Sequence, residues 1–205
     1  TQATYLTSKI SLLSGHLLKT PTRMALRKAV ATDENDLLLI VNSDGGSMAV
    51  YSLLRSENVI APTRFTTGTD QFVDVGVDIT TIYCVVKRTI SGTAQYYVEI
   101  FDDALLTDSA KTGGIASSVS MSHLVGKSVN VLLDGTVQSN QTVPGGGTVT
   151  FPRASTTSYE LGLPIDIEVI TMPVDLKIQT GTRIGFKKRI VEVNTLVLET
   201  QNMVV

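Results

Sequence analysis

The chain has 205 residues, 42% of them hydrophobic and 18% charged, with 16 Gly and only 6 Pro, so it can bury a core in one large or two small domains and is not a disordered tail. A formal charge of -2 leaves no electrostatic footprint for nucleic acid, and any DNA contact has to come from a local patch. The single cysteine, Cys84, excludes an intramolecular disulfide framework and a multi-cysteine zinc site.

The amino-terminal TQATYLTSKI has no basic region followed by an apolar core, so it does not read as a signal peptide. It also lacks an initiator Met, which reads as a processed chain or an excerpt from a longer one. No apolar run reaches the length needed to span a bilayer, so no membrane insertion is expected.

Leu6, Ile10, Leu13 and Leu17 recur at helical spacing, which predicts a short helix from about Thr7 to Leu18, weakened by Gly15 and ended by Pro21. Arg23 to Val30 suits either helix or strand, and the strands that follow favour a strand. Leu37 to Val41 is a continuous apolar run, consistent with a strand buried on both faces. Asn42-Ser43-Asp44-Gly45-Gly46 then turns the chain into a second strand, Ser47 to Leu54. Asn58 to Thr66 and Gln71 to Asp78 follow as further strands.

Thr80 to Asp102 carries the clearest pattern, two β-rich runs separated by Ser91-Gly92. With those two residues as the loop, Arg88 lies opposite Gln95, Val85 opposite Val98 and Tyr83 opposite Ile100. Alternation then assigns Tyr83, Val85, Tyr96, Val98 and Ile100 to the face to be buried. The opposite face, with Cys84, Val86, Arg88, Gln95, Tyr97 and Glu99, is mixed and suits solvent or a neighbouring sheet. Together these strands predict an antiparallel meander, of the kind found in sandwiches, barrels and propeller blades.

Asp102 to Ser122 is rich in Ser, Ala, Thr and Gly and reads as a connection with little regular structure. Ser128 to Leu133, Thr136 to Val143 and Thr148 to Phe151 are strands joined by Asp134-Gly135 and Pro144-Gly145-Gly146-Gly147, a module too small to be stable alone. Tyr159 to Met172 and Ile184 to Glu199 are expected to return to the first sheet system. The expected domains are therefore a discontinuous β platform, 1–103 with 155–205, and an inserted β module, 104–154.

Candidate chemistry is sparse. Val125-Gly126-Lys127-Ser128 ends like a phosphate-binding loop, but Met121 stands where the motif needs Gly, and a strand follows where it needs a helix. The Pro144–Gly147 backbone can approach an anion, although a loop between strands is the simpler reading. His16 and His123 have no second metal ligand at recognisable spacing, and His123 is expected to cap or pack at the start of the module. Cys84 sits mid-strand with no basic group beside it, which favours a structural thiol. Asp33-Glu34, Asp36 and Asp102-Asp103 lie in turn-like positions where acids cap locally. Asn140-Gln141-Thr142 matches a glycosylation sequon without a secretory signal. Lys187-Lys188-Arg189 with Arg183 is the densest basic cluster, and a solvated or interface strand start explains it at least as well as phosphate binding. No catalytic, cofactor-binding or metal residue is assigned, and no enzyme is expected.

Several segments, in order, resemble the tail nozzle proteins of short-tailed bacteriophages, also called tail tubular protein B, and related tail-stabilisation proteins. They are Thr22 to Arg27, Leu39 to Gly45 running into Met48-Ala49-Val50, Leu54 to Val59 with Thr63-Arg64-Phe65, and Val85 to Asp103. After these come His123 to Lys127 with Val131 to Gly135, Leu161 to Pro164, and Lys187 to Ile190. The series covers about Ile10 to Glu199, and its order and spacing carry the likeness. The family's Asn-Asp-Gly turn is Asn42-Ser43-Asp44-Gly45-Gly46 here, and Ile165 stands where an aromatic residue often follows Gly-Leu-Pro, which suggests a distant member. Family proteins are several times longer, so the chain would be one part of a nozzle or a small relative.

The resemblance implies a virion structural protein with a propeller-like platform and a small inserted β-barrel-like module, which joins the mainly β pattern and the short N-terminal helix read above. It implies a ring of copies, commonly a hexamer, docked on adaptor and other tail proteins around a channel through which DNA passes. Its place would be the virion tail, assembled in the host cytoplasm. An acidic balance suits a channel wall that must not hold phosphates. The alternative expectation is a β-sandwich binding module at the tail tip that recognises a cell-surface partner, against which stand the 5% aromatic content and the absence of Trp.

Overall fold

The computed structural model describes residues 9–54 and 56–170, together with residues 177–178, 181–182, 189, 192, 194 and 196. The chain divides into two compact units, Thr1–Ile165 and Asp166–Val205. The described chain is mainly β, its sheets are antiparallel, and none of them closes into a barrel.

In the first unit the predicted meander forms two sheets. β1 (Pro21–Arg27), β2 (Asp36–Asn42), β3 (Met48–Leu54) and β4 (Val59–Phe65) pair in that order. β5 (Gln71–Asp78), β6 (Thr81–Ile90) and β7 (Thr93–Phe101) make the second sheet. The sheets pack through one buried cluster, with Leu39, Val41, Met48 and Val50 from the first and Val75, Ile82, Cys84 and Val86 from the second. The result is a two-layer sandwich. β2 is fully buried only on this inner side, since Leu38 and Ile40 on its other face are half-buried.

The β6–β7 hairpin has the predicted register: Tyr83 faces Ile100, Val85 faces Val98 and Arg88 faces Gln95. Ser91 and Gly92 both take positive φ, 49° and 80°, as a two-residue primed turn requires. The predicted facing is reversed. Ile82, Cys84, Val86, Arg88 and Ile90 are buried, while Tyr83, Tyr96, Val98 and Ile100 are exposed. The mixed face goes inside because carboxylates brought in from other segments compensate the charge of Arg88.

The stretch expected to be irregular contains β8 (Asp108–Gly113) and β9 (Ser118–Ser120). Its small residues allow close approach: Gly113 faces Tyr159, and a Cβ on Gly113 would lie 2.5 Å from the Tyr159 hydroxyl. β10 (Ser128–Leu133), β11 (Thr136–Thr142) and β12 (Thr148–Thr150) match the predicted strands. β13 (Tyr159–Leu163) does not return to the first sheets. It inserts between β10 and β8, giving the order β11-β10-β13-β8, with β12 paired to β9 beside it. The module therefore reaches past the expected limit at 154 and closes its core with Leu161, next to Met121, Leu124, Val129, Val131, Leu133 and Val149. The compact-unit boundary falls after Ile165, so the sandwich and the module strands lie in one unit.

The expected N-terminal helix is a run of turns ending in a single 3-10 turn, Gly15–Leu17; Thr7 and Ser8 lie outside the described residues. Side chains from the sandwich compete for its backbone. The Asn42 amide accepts from Lys19 N–H at 2.9 Å and donates to the Leu17 carbonyl at 2.9 Å, and Ser14 Oγ meets the Tyr51 hydroxyl at 3.0 Å.

In the second unit β14 (Lys177–Ile178) and β15 (Gly181–Thr182) form a short ladder, and residues 166–170 have no regular structure. The strand expected over Ile184 to Glu199 falls largely outside the described residues, as does the basic cluster except for Arg189, which is exposed.

Candidate functional site

β6 runs through both cores of the first unit. On its buried face Ile82, Cys84 and Val86 belong to the sandwich cluster and Ile90 belongs to the module cluster. Arg88 lies between them and is 0% exposed. An isolated buried guanidinium is untenable, and the chain gathers acceptors from three other segments.

Glu99 on β7 takes two parallel bonds, from Arg88 Nε at 2.8 Å and from Nη2 at 2.6 Å. Asp108, the first residue of β8, accepts from Nη1 and Nη2 at 3.2 Å each. In the β4–β5 loop, Thr67 Oγ1 accepts from Nη1 at 2.8 Å and donates to Asp108 at 2.5 Å. Asp70, in the same loop, accepts from Nη1 at 3.3 Å and from the Thr89 backbone N–H at 3.1 Å. Lys127, just before β10, pairs with the other side of Asp70 at 3.6 Å. Three carboxylates against Arg88 and Lys127 leave one net negative charge. Burial works against the arginine's charge, but Glu99 and Asp108 outweigh it and hold the guanidinium still more firmly protonated than usual.

A second node anchors the module. Asp134, in the β10–β11 turn at φ 53°, accepts from the backbone N–H groups of Thr156, Thr157 and Ser158 at 2.9, 2.7 and 3.2 Å. Its other oxygen pairs with Arg153 at 2.5 Å. The Arg153 guanidinium, followed by those N–H bonds, pulls the carboxyl well below the usual range. The Asp-Gly pair read in the sequence as a turn thus also fixes the segment leading into β13.

No protein-family model matches the chain, and no curated protein sequence matches it.

The residues weighed in the sequence are dispersed. Lys127 of the Gly126-Lys127-Ser128 stretch serves Asp70, and Ser128 opens β10, so a strand stands where a phosphate loop needs a helix. Pro144–Gly147 is a tight turn closed by Gly147 N–H to the Pro144 carbonyl, at 2.8 Å. His123 packs edge-on against Tyr97 and contacts the Ser109 carbonyl at 3.1 Å, while His16 is exposed far along the chain. Glu34 accepts from Val30 N–H and pairs with Arg27, in that order lowering its pKa; Asp36 accepts from Ala29 N–H and Asp102 from Ala104 N–H. Those are the local caps expected of them. Asp33 and Asp103 are exposed, and so is Asn140 on β11. Cys84 is 3% exposed, and burial, reinforced by Glu99 and Asp108, pushes its thiol up to about 11.

Among the described residues no group of three or more His, Cys, Asp or Glu is placed to hold a metal ion, and no helix is long and apolar enough to cross a membrane. Arg88 itself fills the space the three carboxylates share. All three of its nitrogens are committed to acceptors of the chain itself. What it can do is mechanical: it locks five chain segments and two cores together. It is not legible in the sequence because Asp70, Glu99, Asp108 and Lys127 lie far apart along the chain with no local motif. The one available signal was a charged residue in the longest strand, in step with Ile82, Cys84, Val86 and Ile90.

Proposed function

We propose that the chain is a non-enzymatic structural subunit of a short-tailed phage tail, a nozzle or tube component that self-assembles into a ring, commonly six copies, and docks on neighbouring tail proteins. The observation that carries this reading is the ordered series of nozzle-like segments from Thr22 to Ile190. The architecture supports it in kind. Antiparallel sheets bound by a buried ionic joint suit a rigid building part, and exposed Tyr83, Tyr96, Val98 and Ile100 on one sheet face suit a protein that works in an assembly. On this reading the sandwich is one element of a propeller-like platform, and DNA meets it only in passing through the channel.

The test is to mix the purified full chain with virion components and follow assembly by electron microscopy. The expected result is a ring incorporated below the portal-joining adaptor. A chain that joins no tail assembly overturns the reading, and a strongly positive channel wall overturns the account of its acidic balance.

A second reading, a sandwich that recognises a cell-surface partner at the tail tip, draws on Tyr83 and Tyr96 lying on the same face. Binding of the purified chain to host cells, lost in Tyr96→Ala, would favour it.

A further inference from the structure

The β6–β7 hairpin fixes which backbone groups of β7 are free. Ser91 and Gly92 form a two-residue turn, so Ile90 and Thr93 close it as a hydrogen-bonded pair. Bonded pairs recur at every second residue, and Thr93, Gln95, Tyr97, Glu99 and Phe101 direct their N–H and C=O groups to β6. Those of Ala94, Tyr96, Val98 and Ile100 point away from it, and among the described residues no other strand pairs with β7. The same side chains lie on the outer face, with Tyr96 63%, Val98 72% and Ile100 61% exposed.

Open edges are ordinarily guarded by proline, bulges or charge. The other outer strands of the three larger sheets are guarded in this way. β4 carries Pro62, β1 carries Arg23 and Arg27, and β5 carries Asp74 and a register shift. β8 and β11 each meet their neighbour with a shift. β7 runs nine residues with none of these, and its one charge, Glu99, turns inward onto Arg88.

We propose that β7 of a second copy of this chain pairs antiparallel with this edge, about a two-fold axis at Tyr97, joining two three-stranded sheets into one of six strands. A row of unpaired N–H and C=O groups is satisfied by a strand, and about eight bonds form between the two copies. Side chains select this particular strand. With the axis at Tyr97, Tyr96 lies opposite the other copy's Val98 and Ala94 opposite its Ile100, a larger residue against a smaller one in each bonded pair. Moving the axis to Val98 sets Tyr96 against Ile100 and Ala94 against Asp102. Moving it to Tyr96 leaves Ile100 facing Gly92.

Charge does not oppose the pair. Lys87 lies beside Tyr96, so its two copies stand three strand spacings and two residues apart, on the order of 15 Å and beyond the screening length of about 8 Å. Asp74 lies beside Val85, one strand farther out, and its two copies are farther apart still. On the inner face Glu99 lies opposite the uncharged Gln95, and each Glu99 keeps its own Arg88. This inference rests on the self-assembly reading only in involving more than one copy. A two-fold contact closes at two chains, and a ring needs a further head-to-tail surface, so either can fail alone.

The experiment is sedimentation of the purified full chain from micromolar to millimolar concentration, with no tail component present. The mass is expected to rise from one chain toward two. Val98→Pro removes an N–H that points to the partner and none that points to β6. Checked for an unchanged melting transition, it should weaken association at least tenfold. Tyr97→Cys tests the register independently, because residues facing each other at the axis are close enough for a disulfide. Under mild oxidation it is expected to give a covalent pair, whereas Gln95→Cys, which faces Glu99, gives none. A wild-type chain that stays single at millimolar concentration overturns the proposal and leaves the edge to a strand of another protein. A folded Val98→Pro chain that associates like wild type also overturns it, as does a Tyr97→Cys chain that cross-links no better than Gln95→Cys.

Discussion

Arg88 on β6 and Asp108 at the start of β8 face each other with two bonds of 3.2 Å, and this pair joins the sandwich to the module. Glu99 holds the same guanidinium from β7 and accepts from Ser109 Oγ at 2.9 Å, so the joint is tied on both sides of the strand.

Removing the arginine leaves Asp70, Glu99 and Asp108 facing one another around an emptied site. Arg88→Ala is expected to cost about 3–5 kcal/mol in chemical denaturation. Arg88→Lys should recover only part of that, because an ammonium cannot make the forked contacts with Glu99 and Asp108. If Arg88→Ala melts like wild type, the joint has no structural weight.

Acid should loosen the module through Asp134. A carboxyl whose folded pKa is depressed contributes stability above its unfolded value, here near 3.8, and that contribution is lost as the pH falls below it. Urea midpoints of the wild type are expected to fall between about pH 5 and about pH 2, more steeply than those of Asp134→Asn. An equal acid slope in the two proteins would remove Asp134 from this role.

The two hairpin turns of the second sheet are improvable. Ile79 is exposed and sits at φ 56°, a region that β-branched residues rarely adopt. Ile79→Gly is expected to raise stability by about 1 kcal/mol by relieving that strain. Ser91→Asn, which completes an Asn-Gly pair, should add a few tenths of a kcal/mol. Thermal melts of the two single variants check both values, and a loss in either would contradict the turn assignments.

Cys84 is expected to resist a water-soluble alkylating reagent at neutral pH, since its thiol is buried and titrates near 11. Labelling should become complete in denaturant, as read by intact mass. Rapid labelling of the folded chain would mean that the β6 core opens far more readily than its packing implies.

Local chemistry alone determined much of this protein. Alternation and turn residues located β2 through β7, the Ser91-Gly92 loop and the partners of Tyr83, Val85 and Arg88, because strand period and turn conformation depend on neighbours in the chain. The acids at Glu34, Asp36 and Asp102 capped nearby N–H groups for the same reason. Which face of the β6–β7 hairpin went inside was decided only in three dimensions. Arg88 is affordable in the interior because Asp70, Glu99 and Asp108 arrive from three other segments, and no window of sequence contains that sum. The strand at Tyr159–Leu163 was likewise recognisable, but its place between β10 and β8 depended on Gly113 making room for Tyr159 and on Asp134 holding residues 156–158. Periodicity sets where a strand runs, whereas charge compensation and close packing between distant segments set which side it buries and which sheet it joins.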